Sequence, residues 1–183
     1  MHFRETLAPV QGAFEALQKL KVHFDLHIVT SRQNKVRDDT IQWIHRHFPG
    51  IFSDIHLGNH YSREGKSRTK SEICHSIGAC LLIDDSVKYA IQCVHDNIPV
   101  ILFGNYAWNQ VKACPSDIKF VDYSPGLVIE GENSVFNKIQ SDINTALIER
   151  YNISRGSGIN YNVYRVHDWQ EVVDVVVKAF RLT

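Results

Sequence analysis

The sequence predicts an α/β fold, a Rossmann-like three-layer domain built on a parallel sheet, and two observations carry that reading. Helical and extended patterns alternate along most of the 183 residues. The extended segments are apolar throughout rather than alternating in twos, as strands buried on both faces require. With 44% hydrophobic and 22% charged residues, the composition suits one globular domain, 1–183, able to bury a core.

The elements follow in order. In "APVQGAFEALQKLK", Phe14, Leu17 and Leu20 stand at helical spacing with Pro9 near the entry, which predicts a helix. "FDLHIVT" is a compact strand ending at Thr30. "NKVRDDTIQWIHRHF" places Val36, Ile41, Ile44 and Phe48 on one helical face, and "IFSDIHL" is the next strand. A helix from Ser67 to Ile77 leads into the strand "CLLID", the helix "VKYAIQCVHDN" and the strand "IPVILF". The rhythm then breaks. Residues 113–160 hold a short apolar piece "IKFV", a turn "YSPG", a polar "IEGENS" and a helical pattern over 134–151, and are read as an insertion near the C-terminus. "NVYRVHDWQEVVDVVVKAF" resumes the pattern as a strand and a terminal helix, with Asp168 as N-cap and Glu171 completing a capping box.

Charge and cysteine usage narrow the function. Formal net charge is zero with histidine neutral, and the basic residues are scattered, so neither a nucleic-acid polymer nor an anionic membrane is an expected partner. No apolar run reaches membrane-spanning length, and "MHFRETLAPVQGAF" lacks a basic-then-apolar leader. The four cysteines, Cys74, Cys80, Cys93 and Cys114, show no paired spacing, and the first three sit in apolar patterns where free thiols pack as small hydrophobes. A reducing, cytoplasmic setting is expected. The histidines look unclustered and structural, with His45 and His47 on a solvated helix side and no zinc-ligand spacing.

Three polar features stand where open parallel sheets place their ligands, at or just beyond strand C-termini. Thr30 and Ser31 end one strand, Lys70 lies in the first turn of the helix before the next, and Asp84 and Asp85 end that next strand. Each has a local explanation: a strand-end hydroxyl makes a side-chain turn, a helix lysine is a solvated charge, and Asp85 or Ser86 caps a helix. Taken together they suit a phosphate. Thr30 and Ser31 supply hydrogen-bond donors and Lys70 a cation. Asp84 and Asp85 would repel phosphate unless they held a hard cation, and Mg²⁺ bound through carboxylates and water fits.

At these residues the sequence resembles the haloacid dehalogenase (HAD) superfamily, most of whose members are Mg²⁺-dependent phosphatases. "LHIVTSR" matches the family's second motif, "RTKSEIC" its lysine motif and "LLIDDS" its acidic fourth motif. The likeness runs from about Pro9 to Asn109 and resumes at Val163, and "LLIDD" with "TS" is similar to the 5'-(3')-deoxyribonucleotidase branch. The resemblance implies a HAD-type sheet in which Thr30, Ser31 and Lys70 bind phosphate. It gives Lys70 a catalytic role in stabilising nucleophile and phosphate, has Asp84 and Asp85 hold Mg²⁺, and makes the partner a small phosphorylated molecule.

The family's first motif, a strand ending Asp-x-Asp, is absent, and no Asp-x-Asp occurs anywhere in the chain. In the family its first aspartate is the covalent nucleophile and its second the general acid and base. Losing a nucleophile alone costs on the order of 10⁴ to 10⁶ in turnover, so the chain as written is expected to be nearly inert. The missing motif also suggests an N-terminally incomplete sheet, from truncation or in a pseudoenzyme, since that strand lies in the family between those ending at Thr30 and Asp84. One expectation lets Ile118–Val121 slot into the gap and deliver Asp122; the other makes the segment an edge strand with a turn at Pro125 and Gly126. The alternative function is a non-catalytic interaction protein of the same shape, using Tyr106, Trp108 and the insertion. The two aromatics follow a strand, so they either line the site or cover the sheet edge, and packing is the favoured reading. A response-regulator receiver has similar residues, but its acidic pair comes first along the chain rather than last.

Overall fold

The computed structural model describes residues 7–125 and 161–182. It is an α/β protein whose strands all pair in parallel. The chain divides between Ala79 and Cys80 into two compact units. The helical pattern over 134–151 and the polar segment "IEGENS" lie outside the described residues.

The first unit opens with α1 (Ala13–Lys21), which buries Ala13, Ala16, Leu17 and Leu20. Strand β1 (His27–Thr30) follows, then a 3-10 turn over Asn34–Val36 running into α2 (Arg37–His47), and then β2 (Asp54–Leu57). β1 and β2 form a two-stranded parallel sheet with His27 opposite Asp54 and Thr30 opposite Leu57. Helix α2 buries Thr40 and Ile44 rather than the whole predicted face, with Ile41 only half-buried. Phe48, just past its end, is buried and gathers the rings of Phe14, Trp43 and Phe52. The unit closes with α3 (Lys70–Ser76), which packs against β1.

The second unit runs β3 (Leu82–Asp84), α4 (Val87–His95), β4 (Val100–Phe103), a 3-10 turn at Ala107–Asn109, β5 (Ile118–Asp122), β6 (Tyr161–Val166) and α5 (Trp169–Phe180). The sheet order is β3-β4-β6-β5. β4 is the apolar centre, with all four residues buried. Around it lie Ala90, Cys93 and Val94 of α4 and Val172, Val175 and Val176 of α5. Asp168 caps α5 by accepting from the Glu171 N–H at 2.9 Å. The expected capping box is modified: the Glu171 carboxylate takes the N–H of His167, one residue ahead of the cap.

Among the described residues β1 pairs only with β2, and β3 only with β4. Each therefore has a ladder of backbone groups on one side without a strand partner. The four residues of β1 are all half-buried, whereas the apolar "HIVT" run predicted burial on both faces. The insertion does not fill a gap of this kind. β5 pairs with β6 in the register Ile118 to Tyr161 through Asp122 to Arg165 and ends the four-stranded sheet, so the edge-strand expectation holds and the replacement-strand expectation is overturned. Distant partners fix it there: "IKFVD" leads into Tyr123, whose N–H continues the ladder onto the Arg165 carbonyl at 2.8 Å and whose hydroxyl accepts from Lys178 of α5 at 2.9 Å.

Candidate functional site

In the first unit, Thr30 is the last residue of β1 and Ser31 follows it. The Thr30 hydroxyl accepts from the Arg32 N–H at 3.3 Å, the side-chain turn such a position favours. The carbonyls of Thr30, Ser31 and Arg32 accept from Gly58, His60 and Asn59, so the segment after β1 is laced to the segment after β2. Asn59 is the buried hub of that lacing. It adopts a left-handed φ of 53°, accepts from the Asn34 N–H at 3.0 Å and donates to the Glu64 carbonyl at 2.9 Å. An asparagine tolerates this conformation because its short amide bonds locally.

Lys70 is the first residue of α3 and only 8% exposed, which overturns its reading as a solvated helix charge. Burial of an ammonium costs free energy, and the amino end of a helix is the wrong end for a cation. The helix starts there because Thr69 and Glu72 form a capping box. The Thr69 hydroxyl accepts from the Glu72 N–H at 3.1 Å, and the Glu72 carboxylate accepts from the Thr69 N–H at 2.7 Å. The Thr69 backbone N–H first, and the Thr69 hydroxyl second, hold the Glu72 carboxyl below its usual range.

The second unit carries the acidic pair. Asp84 ends β3, is buried, and accepts from the Ser86 N–H at 2.9 Å. Ser86, rather than Asp85, is the N-cap of α4. Asp85 is exposed and accepts from the indole Nε1–H of Trp108 at 2.9 Å. Among the described residues no group of three or more His, Cys, Asp or Glu side chains could enclose a metal. Carboxylates are the donors Mg²⁺ takes, one or two at a time with water and phosphate as the remaining ligands; Asp84 ends β3, and Asp85 just beyond it has its carboxylate on Trp108.

One arrangement escapes sequence reasoning, and a second departs from its favoured reading. His27 and His56 stack with centroids 5.4 Å apart, His27 Nδ1 lying 3.2 Å from His56 Nε2, which corrects the view of the histidines as unclustered. Burial, reinforced by His27, Arg68 and Arg37 and opposed by Asp54, pushes the His56 imidazole below its ordinary pKa. The second is the loop after β4. Tyr106 and Trp108 stack at 4.5 Å and 9°, and Trp108 is 68% exposed, so the expectation that these aromatics pack against the sheet fails for Trp108. The only sequence signal was "GNYAWN" following an apolar strand.

Fold and placement thus define an α/β protein with parallel sheets and polar residues at its strand C-termini. Comparison with protein-family models, with curated proteins and with solved structures found no match. No helix among the described residues is long and apolar enough to cross a membrane.

Proposed function

We propose that this chain is a Rossmann-like domain of HAD type, derived from a phosphatase, that binds a small phosphorylated molecule and Mg²⁺ but does not turn the phosphate ester over. The observation that carries the reading is the placement of Lys70 at the start of α3, the helix that packs against the strand ending at Thr30. The capping box of Thr69 and Glu72 fixes that helix start, and a lysine combined with strand-end hydroxyls suits phosphate oxygens. Thr30, at the end of the strand α3 packs against, and Ser31 just after it contribute hydroxyl and backbone donors. In the second unit Asp84 and Asp85 would hold Mg²⁺.

Hydrolysis needs more. With no Asp-x-Asp in the sequence, neither a covalent nucleophile nor its partner acid and base is supplied in the family's manner. The test combines binding and turnover. Inorganic phosphate with Mg²⁺ is expected to shift the amide resonances of Thr30, Ser31 and Lys70, and the shifts are expected to vanish in Lys70→Ala. Hydrolysis of p-nitrophenyl phosphate is expected to stay at background. Phosphate shifts that survive Lys70→Ala overturn the binding half. Mg²⁺-dependent turnover abolished by Lys70→Ala or Asp84→Asn overturns the inactivity and shows that another carboxylate serves as nucleophile.

A further inference from the structure

The loop Gly104–Asn109 is built to hold two rings still. Gly104 has a φ of 83°, and a Cβ there would collide with Cε2 of Tyr106, so the absence of a side chain is what lets that ring settle over the strand end. Trp108 stacks on Tyr106, and its indole N–H is fixed on Asp85. Beneath them Asn109 is fully buried; its side chain donates to the carbonyls of Phe103 and Gly104 and accepts from the Tyr106 N–H. Arg165 in β6 clamps the loop from below through the Gly104 carbonyl and both oxygens of Asn109. A tryptophan ordered by this many bonds yet 68% exposed gives up apolar surface to water without the entropy of a free side chain to compensate.

We infer that the outer face of Trp108 is a binding platform for a planar aromatic ring. The ring geometry selects the class of ligand. Cages for quaternary ammonium ligands set several aromatic walls around the charge, whereas Tyr106 and Trp108 are within 9° of parallel and offer one flat face on which a third ring extends the stack. Base-type heteroaromatics bind such faces by stacking, and a rigid platform binds without first being ordered. Because Trp108 is tied to Asp85, the stacked ring sits beside the acidic pair. Assigning that ring to the organic group of a phosphate ester rests on the function proposed above; the platform itself does not.

Adenosine, which has an aromatic ring and no phosphate, is the probe, with D-ribose as the control. Binding is measured on the full chain by equilibrium dialysis and by saturation-transfer NMR from protein to ligand, without Mg²⁺. Adenosine is expected to bind saturably at millimolar concentration and ribose not to bind. Trp108→Ala is expected to weaken adenosine binding by about tenfold or more, the size of one lost base-aromatic stack, while Trp108→Tyr keeps most of it. Ribose binding equal to adenosine, no saturable adenosine binding, or unchanged adenosine binding in Trp108→Ala overturns the platform. Phosphate shifts without adenosine binding leave the proposed function standing and remove the platform; adenosine binding without phosphate shifts does the reverse.

Discussion

The guanidinium of Arg165 grips Asn109 at two points, its side-chain oxygen at 3.0 Å and its main-chain oxygen at 2.8 Å, across 56 residues of sequence. A third bond reaches the Gly104 carbonyl at 2.7 Å. Arg165 is buried, whereas its ion-pair partner Asp122, 3.5 Å from Nε, is 75% exposed. The hydrogen bonds, rather than the ion pair, therefore carry the energy.

Arg165→Met is accordingly expected to destabilise the protein by about 3 kcal/mol, since buried carbonyls lose charged donors. Asp122→Asn should cost less than about 0.5 kcal/mol, as exposed pairs do. Arg165→Lys restores the charge but not the planar fork and should recover only part of the loss. Urea denaturation of the three variants measures the ranking, and equal losses in Arg165→Met and Asp122→Asn would contradict it.

At Gly104 the backbone and the Tyr106 ring both exclude a side chain. Gly104→Ala should cost about 2 kcal/mol from the left-handed backbone alone and should also displace Tyr106, breaking the stack with Trp108. Near-ultraviolet circular dichroism, sensitive to coupled aromatic rings, is expected to lose intensity in Gly104→Ala. An unchanged spectrum would mean that the loop accommodates the methyl group.

Stability should depend on pH through His56. Its folded pKa lies below the ordinary value because burial, then His27, Arg68 and Arg37, disfavour the charged ring against the pull of Asp54. The unfolded chain thus binds the proton more readily, and stability rises with pH in the window between the two pKa values. It is fully present above about pH 6.5, the unfolded value, and falls as the solution is acidified through the folded one. Melting temperatures between about pH 7.5 and pH 5.5 should fall less steeply in His56→Gln than in the parent; identical slopes would remove His56 from the account.

Helix α3, which positions Lys70, depends on its cap. Thr69→Ala removes the acceptor for the Glu72 N–H and should cost about 1 kcal/mol, equivalent to roughly fivefold faster amide exchange at Ile73 if the helix opens locally. Thr69→Ser should behave like the parent. Exchange unaltered in Thr69→Ala would show that packing against β1 holds the helix start without the cap.

Much of this protein is written locally. The apolar runs ending at Thr30, Leu57, Asp84 and Phe103 specify strands, and Asp168 specifies a helix start, because strand burial and N-capping depend on residues within a few positions of one another. The placement of Thr30 and Asp84 at strand ends, with Lys70 at the start of a helix, was legible for the same reason. Tertiary structure alone decided that Lys70 is buried, that "IKFVD" is an edge strand, and that Trp108 faces solvent while bonded to Asp85. It also decided the pairs His27 with His56, 29 residues apart, and Arg165 with Asn109. Strand register and loop path bring such partners together, and both are set by the cooperative packing of distant segments, which leaves no periodic mark in the chain for a sequence pattern to reveal.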